Sequence, residues 1–128
     1  MLAQPCPCGT GRDYAQCCRP LHRQERVAAS ALLLMRSRYA AFALGLAEYL
    51  LASWHPSTRP ASLDLTAQPV RWCGLEICSC HEGLSGDLQG TVEFIASYRS
   101  GPCRERLHEH SRFVCEAGRW YYVDGDVV

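Results

Sequence analysis

The sequence has no lysine, and all thirteen of its basic side chains are arginine. A lysine Schiff base and a lysine general base are thereby excluded, because the only amine is the N-terminus. There is no charge excess either, thirteen acidic residues offsetting the arginines, so no overall basic field exists to hold nucleic acid. No apolar run approaches the length of a membrane span, and Met1 to Pro5 has neither the charged nor the apolar region of a signal peptide. These absences make a cytoplasmic protein without membrane contact the expectation. A reducing compartment would keep its thiols for metal rather than for disulfides. Repeats and low-complexity tracts are missing too, and a hydrophobic fraction of 48 % with 20 % charged residues is ordinary globular material. A chain of 128 residues can bury about two-thirds of its unfolded surface, enough for one core and a small appendage.

Cysteine, in contrast, is abundant. Four of the nine cysteines fall in the thirteen residues from Cys6 to Cys18. One residue separates Cys6 from Cys8, eight separate Cys8 from Cys17, and Cys17 abuts Cys18. Adjacent cysteines and Cys-x-Cys pairs close into disulfides only with strain. Four thiolates suit a closed tetrahedral zinc site, which is structural because it leaves no position for substrate. Gly9 and Gly11 would fold the chain over the metal, and Asp13 could cap a turn from Tyr14 to Cys17 that delivers the second ligand pair. Such turns aim backbone N–H groups at the sulfurs. The spacing is not the common C-x2-C knuckle, so a redox or chance cluster is the competing reading.

The run Cys-Pro-Cys-Gly-Thr-Gly-Arg-Asp-Tyr-x-x-Cys-Cys resembles the SEC-C motif, the zinc module of the SecA translocation ATPase tail. The resemblance implies one structural Zn2+ held by Cys6, Cys8, Cys17 and Cys18. Thr10 stands where serine is usual and Arg12-Asp13 where lysine is usual, and neither is a ligand. With four thiols present, His22 reads as an exposed loop histidine.

Arg19 to Ala29 is polar and reads as a linker. Ser30 can cap a helix in which Leu32, Met35, Tyr39, Phe42 and Leu46 recur on one face, bent or ended by Gly45. Ala47 to Trp54 makes a second helix stopped by His55-Pro56. Pro60 could start a further short helix over Arg59 to Ala67, closed by Pro69. Strands are expected at Arg71 to Cys80, Thr91 to Arg99, Glu105 to Glu116 and Trp120 to Asp124, joined by glycine-bearing turns. Helices followed by an antiparallel meander describe an α+β domain with the helices on one face of a curved four-stranded sheet.

The segments Met35-Arg36-Ser37-Arg38-Tyr39, Trp54-His55-Pro56-Ser57, Trp72-x-Gly74-Leu75, Val92-Glu93-Phe94, Glu109-x-Ser111-Arg112-Phe113 and Trp120-Tyr121-Tyr122-Val123-Asp124-Gly125 resemble the YchJ-like family. That family joins a SEC-C module to a nuclear transport factor 2-like cone of curved sheet closed by helices. The resemblance places the module and its linker at residues 1–26 and the cone at 27–128. In longer members it implies a second SEC-C motif beyond the cone, and no such motif occurs up to Val128.

Within the cone, Arg36, Tyr39, His55, Glu93, His110, Arg112, Tyr122 and Asp124 are candidate pocket residues, with Arg38 beside them. One of the acids or His110 could act as a general base, with tyrosine or arginine stabilising charge. Internal ion pairs between helices and sheet would use the same residues without chemistry. Nothing fixes a nucleophile–base geometry, so no catalytic residue is named. Strand parity puts Val92, Phe94, Ala96 and Tyr98 on one face and Glu93 with Ile95 on the other, and it separates His110 and Arg112 from Ser111 and Phe113. Trp54, Trp72 and Trp120 read as core rather than as a stacking set. Cys78 and Cys80 would share a face, with His81 as a third donor, yet the trio lacks a fourth ligand. Strand cysteines, including Cys73, Cys103 and Cys115, read as small buried hydrophobes.

The expected function is a zinc-binding adaptor that docks a protein through its knuckle. By resemblance the partner belongs to the translation, secretion or quality-control machinery. Residues 1–30 carry a formal +2 that zinc with four thiolates cancels, so nucleic acid is expected at most as ribosomal contact. The alternative is a small-molecule-binding protein or enzyme using the cone's cavity, favoured by an open cavity with free polar groups and opposed by one filled with Trp and Tyr. Cones of this type pair through the open sheet face, which makes a homodimer a further expectation.

Overall fold

The computed structural model describes residues 4–66 and 70–128. A short 3₁₀ turn, Tyr14–Gln16, precedes helix α1 (Arg19–His22), helix α2 (Ala31–Leu44) and helix α3 (Ala47–Ala52). Strands β1 (Arg71–Glu82), β2 (Gln89–Ser100), β3 (Cys103–Glu116) and β4 (Arg119–Val127) then form one antiparallel sheet in sequence order. The expected α+β cone, helices on a curved meander, is the observed architecture.

Helix α2 begins where Ser30 Oγ accepts the Leu33 N–H at 3.2 Å, and Gly45 ends it. The expected single apolar stripe is too narrow a description. Met35 and Tyr39 are buried, but so are Leu34, Ser37, Arg38, Ala40 and Ala41, because α1, α3 and three strands all contact this helix. A helix covered on several sides needs small and even polar residues wherever its neighbours come close. The linker expected from Arg19 opens instead with α1, whose Leu21 is buried. The expected helix over Arg59 to Ala67 does not form within residues 59–66, and Ala67 and Pro69 lie outside the described residues. Asp64 Oδ1 accepts both the N–H and the hydroxyl of Thr66, at 2.9 and 2.6 Å, a local turn that competes with helix.

On the sheet, Val92, Phe94, Ala96, Ser111, Phe113 and Trp120 are buried against the helices. Each large apolar side chain buried this way contributes about 1.5–3 kcal/mol. β-Bulges interrupt the register at Cys73 and Cys78 of β1 and at Val123 of β4. They bend and twist the strands, which is how four strands curl into a cone. Glycine at two positions lets the β1–β2 turn close, since a Cβ on Gly90 would lie 2.4 Å from Gly83 Cα and one on Gly83 would lie 2.8 Å from Ala31 Cβ. The Gly83 carbonyl there accepts the Ala31 N–H, tying the turn to the start of α2. At the far end, the segment after α3 joins β4 through His55 N–H to Tyr122 O and Tyr122 N–H to Ser53 O.

Candidate metal centre and cone cavity

Cys6 to Cys18 folds as a loop closed on itself. A bridge pairs Pro5 with Asp13, the Cys6 N–H donates to Arg12 O at 2.8 Å, and the Tyr14 N–H donates to Gln4 O at 2.8 Å. Gly9 and Gly11 take φ of 85° and 83°, the left-handed region that L side chains resist, and so reverse the chain between the two cysteine pairs. Asp13 does precede the 3₁₀ turn, but its carboxylate accepts from Gln4 N–H rather than capping the turn.

The four sulfurs of Cys6, Cys8, Cys17 and Cys18 all lie within 4.8 Å of one another. Cys8–Cys17 is 3.6 Å and Cys17–Cys18 is 4.0 Å. A tetrahedral ion with metal–sulfur bonds of about 2.3 Å needs sulfurs about 3.8 Å apart. The cluster therefore fits a metal, with no other protein donor required. Backbone N–H groups of Cys8 and Cys18 point at the Cys6 sulfur, and that of Thr10 at the Cys8 sulfur. As thiols alone, Cys6, Cys8 and Cys18 cannot all ionise. A hydrogen bond from Cys18 holds Cys8 down to about 4, the same bond and burial push Cys18 up, and burial pushes Cys6 up to about 11. A dication removes that conflict by accepting all four thiolates at once.

His22 is not the exposed loop residue expected. It is half-buried on α1, its Nε2 donating to Ser37 O at 2.7 Å and its Nδ1 accepting from Tyr14 OH at 2.7 Å. Burial lowers its pKa, which keeps the ring neutral in this tautomer. Ser37 Oγ donates to Leu34 O and accepts from Tyr49 OH, so a relay runs from the knuckle through α1 into α2 and α3. Arg36, a candidate for the pocket, instead sends Nη1 to the Cys8 carbonyl at 2.9 Å. The knuckle is thus bolted to the first two turns of α2.

The opposite side of α2 faces a cavity of about 220 Å³. Of the candidate pocket residues, Tyr39 and Tyr122 line it. Glu93, His110, Arg112 and Asp124 stand on the outer sheet face. Glu93 accepts from His108 Nε2 at 2.7 Å, and Arg112 clamps Asp124 and Asp126 at 2.6 and 2.7 Å. Parity explains this, because Val92, Phe94 and Ala96 point inward and their neighbours cannot. His55 lies at the edge, Nδ1 accepting from the Ser57 N–H and Nε2 donating to Glu116 at 2.9 Å. Asp124-Gly125, expected to end the last strand, lies inside β4.

The cavity's polar walls are Arg38, Glu109 and Ser111. Arg38 is 4 % exposed, its Nη1 donates to Leu50 O and Ser53 Oγ, and its guanidinium lies 4.5 Å from the centre of the Tyr122 ring and 5.1 Å from that of Trp54. Among the described residues no carboxylate comes within ion-pair distance of it. Burial lowers its pKa to about 10, so it stays charged at neutral pH, with Glu109 acting at longer range. Glu109 accepts the Ser111 hydroxyl at 2.6 Å. Glu109 was readable from parity with Ser111 and Phe113, but its charge argued for the surface. Trp120 is core, whereas Trp54 and Trp72 line the cavity. The cysteines outside the knuckle are less buried than strand cysteines usually are. Cys73, Cys78, Cys80 and Cys103 are exposed and Cys115 is half-buried, placed at bulges, on the edge strand β1 or beside a turn.

Fold and site together define a nuclear transport factor 2-like cone carrying a SEC-C cysteine knuckle able to hold a metal. Residues 3–20 match the SEC-C motif and residues 30–125 match the YchJ middle NTF2-like domain. A UPF0225 protein of Chromobacterium violaceum is 53 % identical over 122 residues, covering 94 % of this chain and 90 % of that one. Another, from Streptomyces coelicolor, is 49 % identical with 98 % of each chain covered. A SEC-C motif containing protein from Rhodopseudomonas palustris, solved in solution, superposes with a TM-score of 0.85 at 37 % identity, covering 98 % of this chain and 99 % of that one. The chain belongs to the YchJ-like, or UPF0225, family. No helix among the described residues is long and apolar enough to cross a membrane.

Proposed function

We propose that this protein is a non-enzymatic adaptor whose knuckle, closed around one structural zinc ion, docks a protein partner. What carries the reading is that the knuckle is held rigidly with arginines exposed on and beside it. Cys6, Cys8 and Cys18 are buried, Arg36 and His22 hold the knuckle to α2, and Arg12 within it and Arg23 and Arg26 just after it are exposed. A closed tetrathiolate site does no chemistry, so its use is to fix a surface. Guanidinium groups on a rigid support suit carboxylates on a partner. The test is affinity capture with the full chain, comparing the wild type with an Arg12→Glu/Arg23→Glu double variant and with Cys17→Ser. Both variants should lose the same captured proteins, while the arginine variant keeps the knuckle's tightly bound zinc. Undiminished capture by both would refute the reading.

The second reading, ligand binding in the cone, is favoured by Arg38. A buried guanidinium against two aromatic rings, with no carboxylate at ion-pair distance among the described residues and beside a cavity, suits a small anion with an apolar body. Thermal-shift screening with small aromatic and aliphatic carboxylates tests it. A stabilisation of the wild type that is absent from Arg38→Met supports this reading, and equal shifts in both proteins oppose it.

A further inference from the structure

Cys78 is the residue around which β1 loses its register. Ile77 pairs with Phe94 and Ser79 with Glu93, so Cys78 is an extra residue between them. A bulge of this kind re-aims a side chain. Here it breaks the parity that would have set Cys78 and Cys80 on one face. Cys80 pairs with buried Val92, whereas the Cys78 sulfur emerges on the outer face beside the Glu93 carboxylate and the His108 ring. One ligand atom from each of these three residues lies within 4.8 Å of the others, and the three come from three adjacent strands.

We propose that Cys78, Glu93 and His108 form a second, open binding site for a borderline divalent cation, zinc foremost, with water in the fourth position. A sulfur, an imidazole nitrogen and a carboxylate oxygen together favour zinc-like ions over magnesium or calcium, which prefer oxygen alone. Two of the three strands, β2 and β3, are central in the sheet and give such a site a stiff base. Ser79 Oγ, 3.5 Å from Glu93 Oε1, and Glu76, whose Oε2 is 4.0 Å from the Cys78 sulfur, supply an orienting donor and a further negative charge. Bonds of about 2.0–2.3 Å put the ligand atoms about 3.3–3.7 Å apart in a tetrahedron. The 2.7 Å hydrogen bond between His108 Nε2 and Glu93 must therefore open by roughly 0.6–1 Å. Both side chains are 33 % exposed and can move that far by rotation. On binding, the imidazole proton passes to Nδ1 and the thiol proton leaves to solvent. Unlike the knuckle, this site is reached from water, so its ion exchanges.

The experiment is a zinc and cobalt titration of the reduced, full-length protein with a chromophoric chelator as competitor. The wild type should take two equivalents, one tight and one labile to the chelator. Cys78→Ser and His108→Ala should each lose only the labile equivalent, and with cobalt Cys78→Ser should lose the thiolate-to-metal absorption of that equivalent. Cys80→Ser should keep both, and Cys17→Ser should keep the labile one, which separates this site from the knuckle. A wild type saturating at one equivalent up to high micromolar zinc would overturn the proposal. So would a second equivalent that survives in both Cys78→Ser and His108→Ala, since other exposed cysteines would then be holding it.

Discussion

Replacing His22 with alanine tests how the knuckle is joined to the cone. The substitution removes two hydrogen bonds, from Tyr14 OH and to Ser37 O, each worth about 0.5–1.5 kcal/mol net. It also removes an edge contact with Tyr49, ring centroids 4.7 Å apart, worth about 0.5–1.5 kcal/mol. The expected destabilisation is about 2–4 kcal/mol, and at about 3–4 °C per kcal/mol for a chain of this size it lowers Tm by roughly 6–16 °C. Both proteins are to be measured at the same saturating zinc concentration, because an ion bound only by the folded state adds to apparent stability. Tyr14→Phe should cost about 1 kcal/mol in the wild type and close to nothing in the His22→Ala background, since the pair shares one bond. Burial lowers the His22 pKa below its ordinary 6.5, so below that pH the unfolded chain binds a proton that the folded state refuses. Wild-type stability is therefore full above about pH 6.5 and declines as pH falls from there, with a slope of at most about 1.4 kcal/mol per unit from this group. The variant lacks that slope, and the gap between the two proteins narrows toward pH 5. Equal melting temperatures, or a gap independent of pH, would refute the relay. Loss of the tightly bound metal from His22→Ala would make the ring a ligand and refute it too.

Three further outcomes are expected. Cys17→Ser removes one of four sulfur donors, and elemental analysis should find the metal held at the knuckle gone or readily stripped, with the first twenty residues newly sensitive to protease. Arg38→Met removes two hydrogen bonds to Leu50 O and Ser53 Oγ and the contacts with Trp54 and Tyr122, so urea denaturation should show a loss of about 2–4 kcal/mol without a change of fold by circular dichroism. Gly90→Ala forces a Cβ to 2.4 Å from Gly83 Cα, backbone against backbone, and should destabilise by about 2 kcal/mol or more, whereas alanine at Gly86, where nothing lies within 4 Å, meets only the strain of its positive φ.

What could be read from the sequence was what depends on near neighbours. The Cys6–Cys18 spacing is local, and so is the alternation that sends Val92, Phe94 and Ala96 inward and Glu93, His110 and Arg112 outward. What escaped depends on how many sides an element has covered. Arg38 stands beside the candidate pocket residues in the sequence, but its burial without a carboxylate shows only once α3 and β4 are laid over it, and Glu109 reads as a surface residue until the cavity is there to receive it. His22 looks free in a polar run because its partners Ser37 and Tyr49 are far along the chain. The bulge at Cys78 is invisible to a period-two count, since one extra residue reverses every facing assignment beyond it. Within residues 59–66 the expected helix lost to a side-chain turn at Asp64.

Helix α2 serves both halves of the molecule at once. Arg36 and Ser37 hold the knuckle, and Met35, Arg38 and Tyr39, in the same two turns, wall the cavity. Anything that rotates or shifts this helix by docking at the knuckle also reshapes the cavity. Thermodynamic reciprocity then requires that any occupant of the cavity change the affinity of whatever docks at the knuckle by the same factor. The helix is thus a lever with two loaded ends, and measuring one binding event with the other site filled reads its stiffness.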